Sequence, residues 1–255
     1  MKTALSFAGS DPTSGAGIQL DLKVFNRFGL LGLTVINSIT AQNTRSVKTV
    51  YPLPKKIIEE QLTSLAEDFK IDAAKTGMIY TAYAVEVFAA FIQKHRITHL
   101  VIDPVLVSST GRSLSRKGTI DALKSLLMPL AEVITPNIYE AEVLTGIKIK
   151  DSSTILAAME RLREAGAENI IITGGDTEDE WVIDYFFNGD EFLRFRSKRH
   201  PGSYHGTGCC FSAAITAGLA QGLDVLTSVK RARRFVNKAI RTATKETSGL
   251  GLLMV

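Results

Sequence analysis

An α/β fold, with a mostly parallel central sheet, helices on both faces and an antiparallel hairpin at one edge, is what this sequence predicts. Strand-like β-branched runs alternate with amphipathic helical patterns along the whole chain, several of those runs end in small or polar residues, and one pair of extended segments is separated by Asn188-Gly189-Asp190. Short strand–helix–strand connections demand right-handed crossovers, which make the strands parallel and cover the sheet with helices. A chain of 255 residues that is 45% hydrophobic can bury one substantial core, so a single domain over residues 1–255 is expected.

Thr3 to Phe7 reads as a buried strand that runs into the small-residue loop from Ala8 to Gly17, where something approaches the backbone closely. Ile18, Leu22, Phe25 and Phe28 follow at helical spacing, with Gly29 as the stop. Asp21 falls in this helix, either aimed into a pocket or simply favoured by the helix's N-terminal half. Gly32 to Ala41 is a second strand, ending in Gln42-Asn43-Thr44. Ligands of open α/β sheets gather at strand carboxyl ends, and an amide both donates and accepts. Gln42 is therefore a candidate reader of a heterocycle's edge, whereas Asn43 fits turn chemistry equally well.

Pro54 precedes a helix carrying Ile57, Ile58, Leu62, Leu65 and Phe69, and Ile71 to Thr76 forms the next strand, ending at Gly77-Met78. Met78 is either core filler or ligand contact. A helix with Val85, Phe88, Ala89 and Ile92 leads to the strand His99 to Asp103. A carboxylate at the end of a buried strand, just before Pro104-Val105 and the loop Ser108-Ser109-Thr110-Gly111, is a stronger functional candidate than a surface acid. After a helix around Ile120 to Met128, the strand Val133-Ile134-Thr135 meets Pro136-Asn137. Asn137 is a natural N-cap and Glu140 stands where a capping box places its acid. The competing assignment for Glu140 is a carboxylate aimed at a hydrated Mg²⁺ on nucleotide phosphates.

A helix from Ser152 to about Gly166 and the strand Asn169 to Thr173 repeat the plan, ending in Gly174-Gly175-Asp176. Trp181 to Phe187 and Glu191 to Arg196 then read as a hairpin, because Asn-Gly readily takes the positive φ of a tight reversal. Two helices, around Phe211 to Gln221 and Val225 to Ala243, close the chain. They are introduced by His205-Gly206-Thr207-Gly208-Cys209-Cys210. Glycines there let backbone N–H groups crowd round an anion, and the helix that follows offers its unpaired N–H groups and positive dipole end to the same charge. A cysteine at that position is expected to have its pKa lowered toward neutrality.

The net charge of +4 comes from 30 basic and 26 acidic residues, scattered along the chain, and identifies no macromolecular partner. The denser basic runs, Arg194 to His200 and Lys230 to Arg234, read as a solvated loop and helix face, so nucleic acid is not expected as a partner. No apolar run reaches a membrane span and the N-terminus lacks the apolar core of a secretory signal, so a cytoplasmic protein is expected. The two cysteines are adjacent, which suits neither a disulfide framework nor a common zinc site, and both are expected to be free thiols.

Taken in order, Ala8-Gly9-Ser10-Asp11, Gly15-Ala16-Gly17-Ile18-Gln19, Asp21-Leu22-Lys23, Thr40-Ala41-Gln42-Asn43-Thr44, Thr76-Gly77-Met78, Asp103-Pro104-Val105, Thr135-Pro136-Asn137, Glu140-Ala141-Glu142 and His205-Gly206-Thr207-Gly208-Cys209 span nearly the whole chain. In that order and spacing they resemble the ribokinase-like superfamily, and more closely its hydroxymethylpyrimidine and hydroxymethylpyrimidine-phosphate kinases of thiamine biosynthesis. The resemblance implies a three-layer ribokinase-like sandwich and transfer of the ATP γ-phosphoryl group, with Mg²⁺, to the hydroxymethyl oxygen of 4-amino-5-hydroxymethyl-2-methylpyrimidine, then onto the monophosphate. It implies that Gly9, Ala16, Asp21, Gln42, Met78 and Val105 surround the pyrimidine, with Asp21 and Gln42 making its polar contacts. Cys209 would accept the proton, and Gly206, Thr207 and Gly208 would form the anion cradle with it. Asp103 and Glu140 would organise the metal with Asn137 beside them, Thr173 and Gly175 would border the nucleotide, and Arg233 would stand in for a nucleotide-contacting lysine. A homodimer is a further expectation.

The chain departs from the pyrimidine kinases at Thr173-Gly174-Gly175-Asp176, where they commonly show Lys-Gly-Gly-His, and at Ser109, where many have lysine. A lost lysine removes a compact positive charge from a phosphate site. Two other readings follow: a kinase for pyridoxal or a related hydroxymethyl heterocycle, and a protein that binds the pyrimidine but has lost catalysis.

Overall fold

The computed structural model describes residues 1–108, 111–175, 180–244 and 249–255. The first strand, β1 (Thr3–Ser10), is followed by α1 (Gly17–Arg27), β2 (Leu31–Gln42), β3 (Val47–Pro52), α2 (Lys55–Asp68), β4 (Ala73–Thr76) and α3 (Ala82–His95). Then come β5 (Leu100–Ile102), the short helix α4 (Thr119–Ala122) with π- and 3₁₀-type turns to Leu130, β6 (Val133–Ile134), α5 (Ile138–Thr145), α6 (Ser152–Glu164) and β7 (Asn169–Ile172). The hairpin β8 (Trp181–Phe187) and β9 (Phe192–Lys198), a short strand β10 (Tyr204–His205), the helices α7 (Thr207–Ala220) and α8 (Val225–Arg241), and β11 (Gly251–Leu252) complete the chain.

Among the described residues, nine strands form one sheet in the order β3-β2-β1-β4-β5-β6-β7-β8-β9. The six from β2 to β7 are parallel, as the alternating pattern predicts, and the hairpin supplies an antiparallel edge. Asn188 Oδ1 accepts the N–H groups of Asp190 and Glu191, and Gly189 takes φ +99° to close the reversal. The opposite edge differs from expectation: Val47–Pro52 folds back on β2 as an antiparallel strand, with Ile39 opposite Tyr51. Lys48, Thr49 and Tyr51 are exposed there, so the segment shows little of the apolar pattern of a buried strand.

Strand alternation divides the core. Ala4, Ala73, Val101, Val133 and Ile171 face α1, α7 and α8, while Leu5, Phe7, Ala74, Ile102 and Ile134 face α2, α3, α5 and α6. The chain leaves β1 toward β2 and later returns to β1's other side as β4, which makes the carboxyl ends of β1 and β4 the sheet's topological switch point. Open α/β sheets bind ligands in that crevice. No helix among the described residues is long and apolar enough to cross a membrane.

Candidate active site

The parallel strands deliver their carboxyl ends to one rim of the sheet. Ser10-Asp11, Gln42, Gly77-Met78, Asp103, Asn137 and Thr173 all stand at those ends, and an Asn137–Thr173 bridge continues the β6–β7 pairing. The first turn of α7 is brought to the same rim. Its N-cap, Gly206, has φ +81°, and a Cβ there would overlap the carbonyl oxygen of Gly15, so a glycine is required where the two loops cross.

A charged cluster that the sequence reading did not assign lies beneath this turn. Lys75, in the run Ala-Ala-Lys-Thr of β4, is fully buried, and its Nζ is 2.7 Å from Asp21 Oδ1. Asp21 Oδ2 accepts from Ser6 Oγ at 2.6 Å, Ser6 and Lys75 being neighbours across β1 and β4. Burial works against the Lys75 ammonium, but the carboxylates of Asp21 and Asp103 and the sulfur of Cys209 raise its pKa above the ordinary lysine value. Asp21 has 0% exposure. In this structure it is the counter-ion of Lys75 and offers no surface to a heterocycle. An ionisable side chain in the middle of a small, otherwise uncharged strand was the signal that could have revealed the cluster.

Asp103 follows β5 and is nearly as buried, its Oδ2 accepting from Ser212 Oγ of α7 at 2.9 Å. The Cys209 thiol lies beside this carboxylate and helps to hold its pKa down against burial. The expected lowering of the Cys209 pKa is corrected here. Burial first, and then the charges of Asp103 and Asp21, push the thiol well above its usual value, while Lys75 and the Gly17 N–H pull only partly the other way. Partial withdrawal from water, beside two acids, outweighs the helix dipole. Cys210 is fully buried in the α7 core, its thiol pushed up to about 12 by burial. Both cysteines are free, as expected.

Gly9, Ala16, Gln42, Met78 and Val105 occupy neighbouring strand ends and the loop before α1. Gly9 follows a register shift in β1, and a Cβ on it would strike the Met78 methyl. Asn37 Nδ2 holds the Met78 carbonyl at 2.9 Å, a support absent from the sequence reading. Met78 and Val105 are partly open, whereas the Ala16 N–H is already donated to Asp11 Oδ2 at 2.9 Å. The Gln42 amide nitrogen lies 3.5 Å from His205 Nε2.

At β6 and β7 the capping box forms: Asn137 Oδ1 accepts the Glu140 N–H at 2.8 Å and Glu140 Oε2 accepts the Asn137 N–H at 3.0 Å. Glu140 Oε1 also accepts the Leu106 N–H at 3.1 Å, tying α5 to the loop after Asp103. Arg233 does not extend freely toward a nucleotide. Its Nε is 2.7 Å from Asp184 Oδ2 and its Nη2 donates to Phe195 O at 3.0 Å, while Asp184 Oδ1 accepts the Gly174 N–H at 3.1 Å. Arg233 therefore braces the loop that carries Thr173 and Gly175. Of the departures noted above, Ser109 and Asp176 lie outside the described residues.

Among the described residues no three or more His, Cys, Asp or Glu side chains cluster into a self-sufficient metal site. The donors present nonetheless fit Mg²⁺, which takes hard oxygens and needs only one or two carboxylates beside substrate phosphates and water. Asp103 and Glu140 supply such oxygens, each already oriented by hydrogen bonds.

A mostly parallel sheet with helices on both sides, whose strand ends face a glycine-rich helix start, defines a ribokinase-like kinase of small molecules. The chain belongs to the phosphomethylpyrimidine kinase family, whose model matches residues 11–253. It is 41% identical over 247 residues to the hydroxymethylpyrimidine/phosphomethylpyrimidine kinase of Haemophilus influenzae, covering 94% of this chain and 91% of that protein. It is 40% identical over 242 residues to the thiamine biosynthesis bifunctional protein ThiED of Geobacter sulfurreducens, of which it spans 49%. Among solved structures, an ADP complex of Bacillus subtilis pyridoxal kinase matches with a TM-score of 0.91 and 34% identity, covering 99% of this chain and 97% of that one.

Proposed function

We propose that the chain phosphorylates 4-amino-5-hydroxymethyl-2-methylpyrimidine from ATP, and then its monophosphate, in thiamine diphosphate biosynthesis. The observation that carries this reading is the meeting of the α7 turn, through Ser212 and Cys209, with Asp103 on the carboxyl rim of the sheet beside its switch point, within a chain of this family. In the proposal, Gly9, Ala16, Gln42, Met78 and Val105 receive the ring, and Asp21 acts indirectly, by holding Lys75 under the site. The N–H groups of Gly206, Thr207, Gly208 and Cys209 cradle the moving phosphoryl oxygens. Asn137, Thr173 and Gly175 border the nucleotide, and Arg233 positions that border from behind.

Mg²⁺, held by Asp103 and Glu140, would supply positive charge to the phosphate oxygens. Phosphoryl transfer depends on positioning and charge stabilisation more than on a strong base, because the transition state is loose and the acceptor hydroxyl loses its proton late. Cys209 is the proposed proton acceptor; its thiol is raised in the ligand-free protein and would act only once ionised, and Lys75 is a fixed cation of this chain that favours that ionisation. Pyridoxal is the second reading, favoured by the close structural likeness to a pyridoxal kinase.

We also place the protein in the cytoplasm as a homodimer. Tyr51 and Ile39, 62% and 46% exposed and paired across the β2–β3 edge, are the support for self-association. ADP release with ATP, Mg²⁺ and the pyrimidine tests the chemistry. Cys209→Ala should reduce kcat by at least about a hundredfold, and undiminished turnover with unchanged KM would remove Cys209 from the mechanism.

A further inference from the structure

Asp11 and His205 are 194 positions apart in the chain, yet Asp11 Oδ2 lies 2.9 Å from His205 Nε2. An ionised carboxylate has only acceptors, so the ring nitrogen is the donor. Burial pushes the Asp11 carboxyl up, but the His205 hydrogen bond and the Thr13 N–H more than reverse this and hold it below its ordinary value. The same carboxylate accepts the Thr13 N–H at 2.8 Å, the Thr13 hydroxyl at 2.9 Å and the Ala16 N–H at 2.9 Å. One side chain thus shapes the loop before α1 and grips the residue that precedes the glycine turn.

Packing enforces the same connection. A Cβ on Gly15 would lie 2.6 Å from both His205 Cδ2 and Leu252 Cδ2, and the Gly206 backbone presses on the Gly15 carbonyl. His205 pairs with Leu252 between β10 and β11 and has the Gln42 amide 3.5 Å from its ring. The imidazole therefore stands where the Ala16 loop, the end of β2, the C-terminal strand and the start of α7 converge.

We propose that the Asp11–His205 pair is a positioning clasp that transmits occupancy of the heterocycle pocket to the phosphate-binding turn, so that acceptor and nucleotide bind cooperatively. The inference rests on the reading that Ala16 and Gln42 face the heterocycle and that residues 206–209 face the phosphoryl group. A heterocycle restraining Ala16 and Gln42 also restrains the His205 ring, which Gln42 adjoins and which Ala16 reaches through the Asp11 carboxylate, so part of the ordering of the turn precedes nucleotide binding. Asp11 and His205 touch neither reacting atom and exchange no proton in the transfer.

Calorimetric titration of the full chain with a non-hydrolysable ATP analogue, with and without the hydroxymethylpyrimidine, measures this coupling. The pyrimidine should tighten analogue binding by about tenfold in the unmodified protein. In His205→Phe and Asp11→Asn the factor should fall toward one, and His205→Gln, which restores an N–H donor, should recover part of it. Thermal midpoints recorded alongside identify a variant that is merely unfolded, and Asp11→Asn, which keeps the side-chain shape, stands in if His205→Phe is. An unchanged coupling factor in both variants, or no coupling in the unmodified protein, overturns the clasp. If pyridoxal binds and the pyrimidine does not, the substrate reading has failed separately, and the same titrations with pyridoxal decide the clasp.

Discussion

Lys75→Met nearly preserves side-chain shape and deletes an ammonium that lies 2.7 Å from Asp21, both side chains being inaccessible to solvent. Removing one partner of such a pair costs about 3–5 kcal/mol, because the remaining charge keeps its desolvation penalty. Asp21 then takes up a proton: burial already drives its carboxyl upward, and the lysine that chiefly opposed that drive is gone. The sign of the pH dependence follows. Above the unfolded carboxyl value of about 3.9 the unfolded chain has released this proton while the native variant retains it, so variant stability falls as pH rises through that window and levels off above the native pKa. Urea unfolding followed by circular dichroism reads both effects. With a denaturant slope of about 3 kcal/mol/M for a chain of this size, the midpoint should drop by about 1 M or more at neutral pH. Lys75→Met/Asp21→Leu should regain much of the loss, since a buried pair replaced by apolar groups is often neutral. A single variant with an unchanged midpoint, or with no pH dependence across the acidic range, would refute the electrostatic account of the cluster.

Other outcomes can be checked independently. Gly206→Ala should cost at least about 1–2 kcal/mol from its left-handed φ alone, in addition to the overlap with Gly15, and should abolish turnover; a normal thermal midpoint and kcat would contradict the crossing described here. Asn137→Ala should lose about 1 kcal/mol by removing the α5 cap, and equal urea midpoints would show that the capping box carries no stability. Thiolate absorbance in the ultraviolet should be absent from the ligand-free protein at neutral pH, because burial and the neighbouring acids hold the Cys209 thiol well above its ordinary value; a thiolate titrating near neutrality would contradict this. Cys210→Ala should retain most ADP release, its sulfur being packed in the core, whereas a loss matching that of Cys209→Ala would reverse the assignment of roles.

Most of the sheet was legible because β1, β4, β5, β6 and β7 are buried on both faces and lie as apolar runs between helices. β3 was not, since an edge strand exposing Lys48, Thr49 and Tyr51 has no such run. The ends that carry Gln42, Met78, Asp103, Asn137 and Thr173 were legible for a related reason: small or polar residues closing an apolar strand mark a ligand-facing rim. What each side chain does there depended on neighbours remote in sequence. Asp21 becomes a buried counter-ion only because β4 places Lys75 beside it, and the Cys209 thiol is pushed up by burial and by Asp103, neither of which a local pattern reports. Arg233 faces Asp184 because α8 packs over β8, a contact across 49 positions.

The substrate assignment is tested most directly by initial rates of ADP release from ATP and Mg²⁺ with three acceptors in parallel: the hydroxymethylpyrimidine, its monophosphate and pyridoxal. Both pyrimidines should turn over, each with a kcat/KM above that for pyridoxal. A preference for pyridoxal, or tight pyrimidine binding with no ADP above background, would contradict the proposed function.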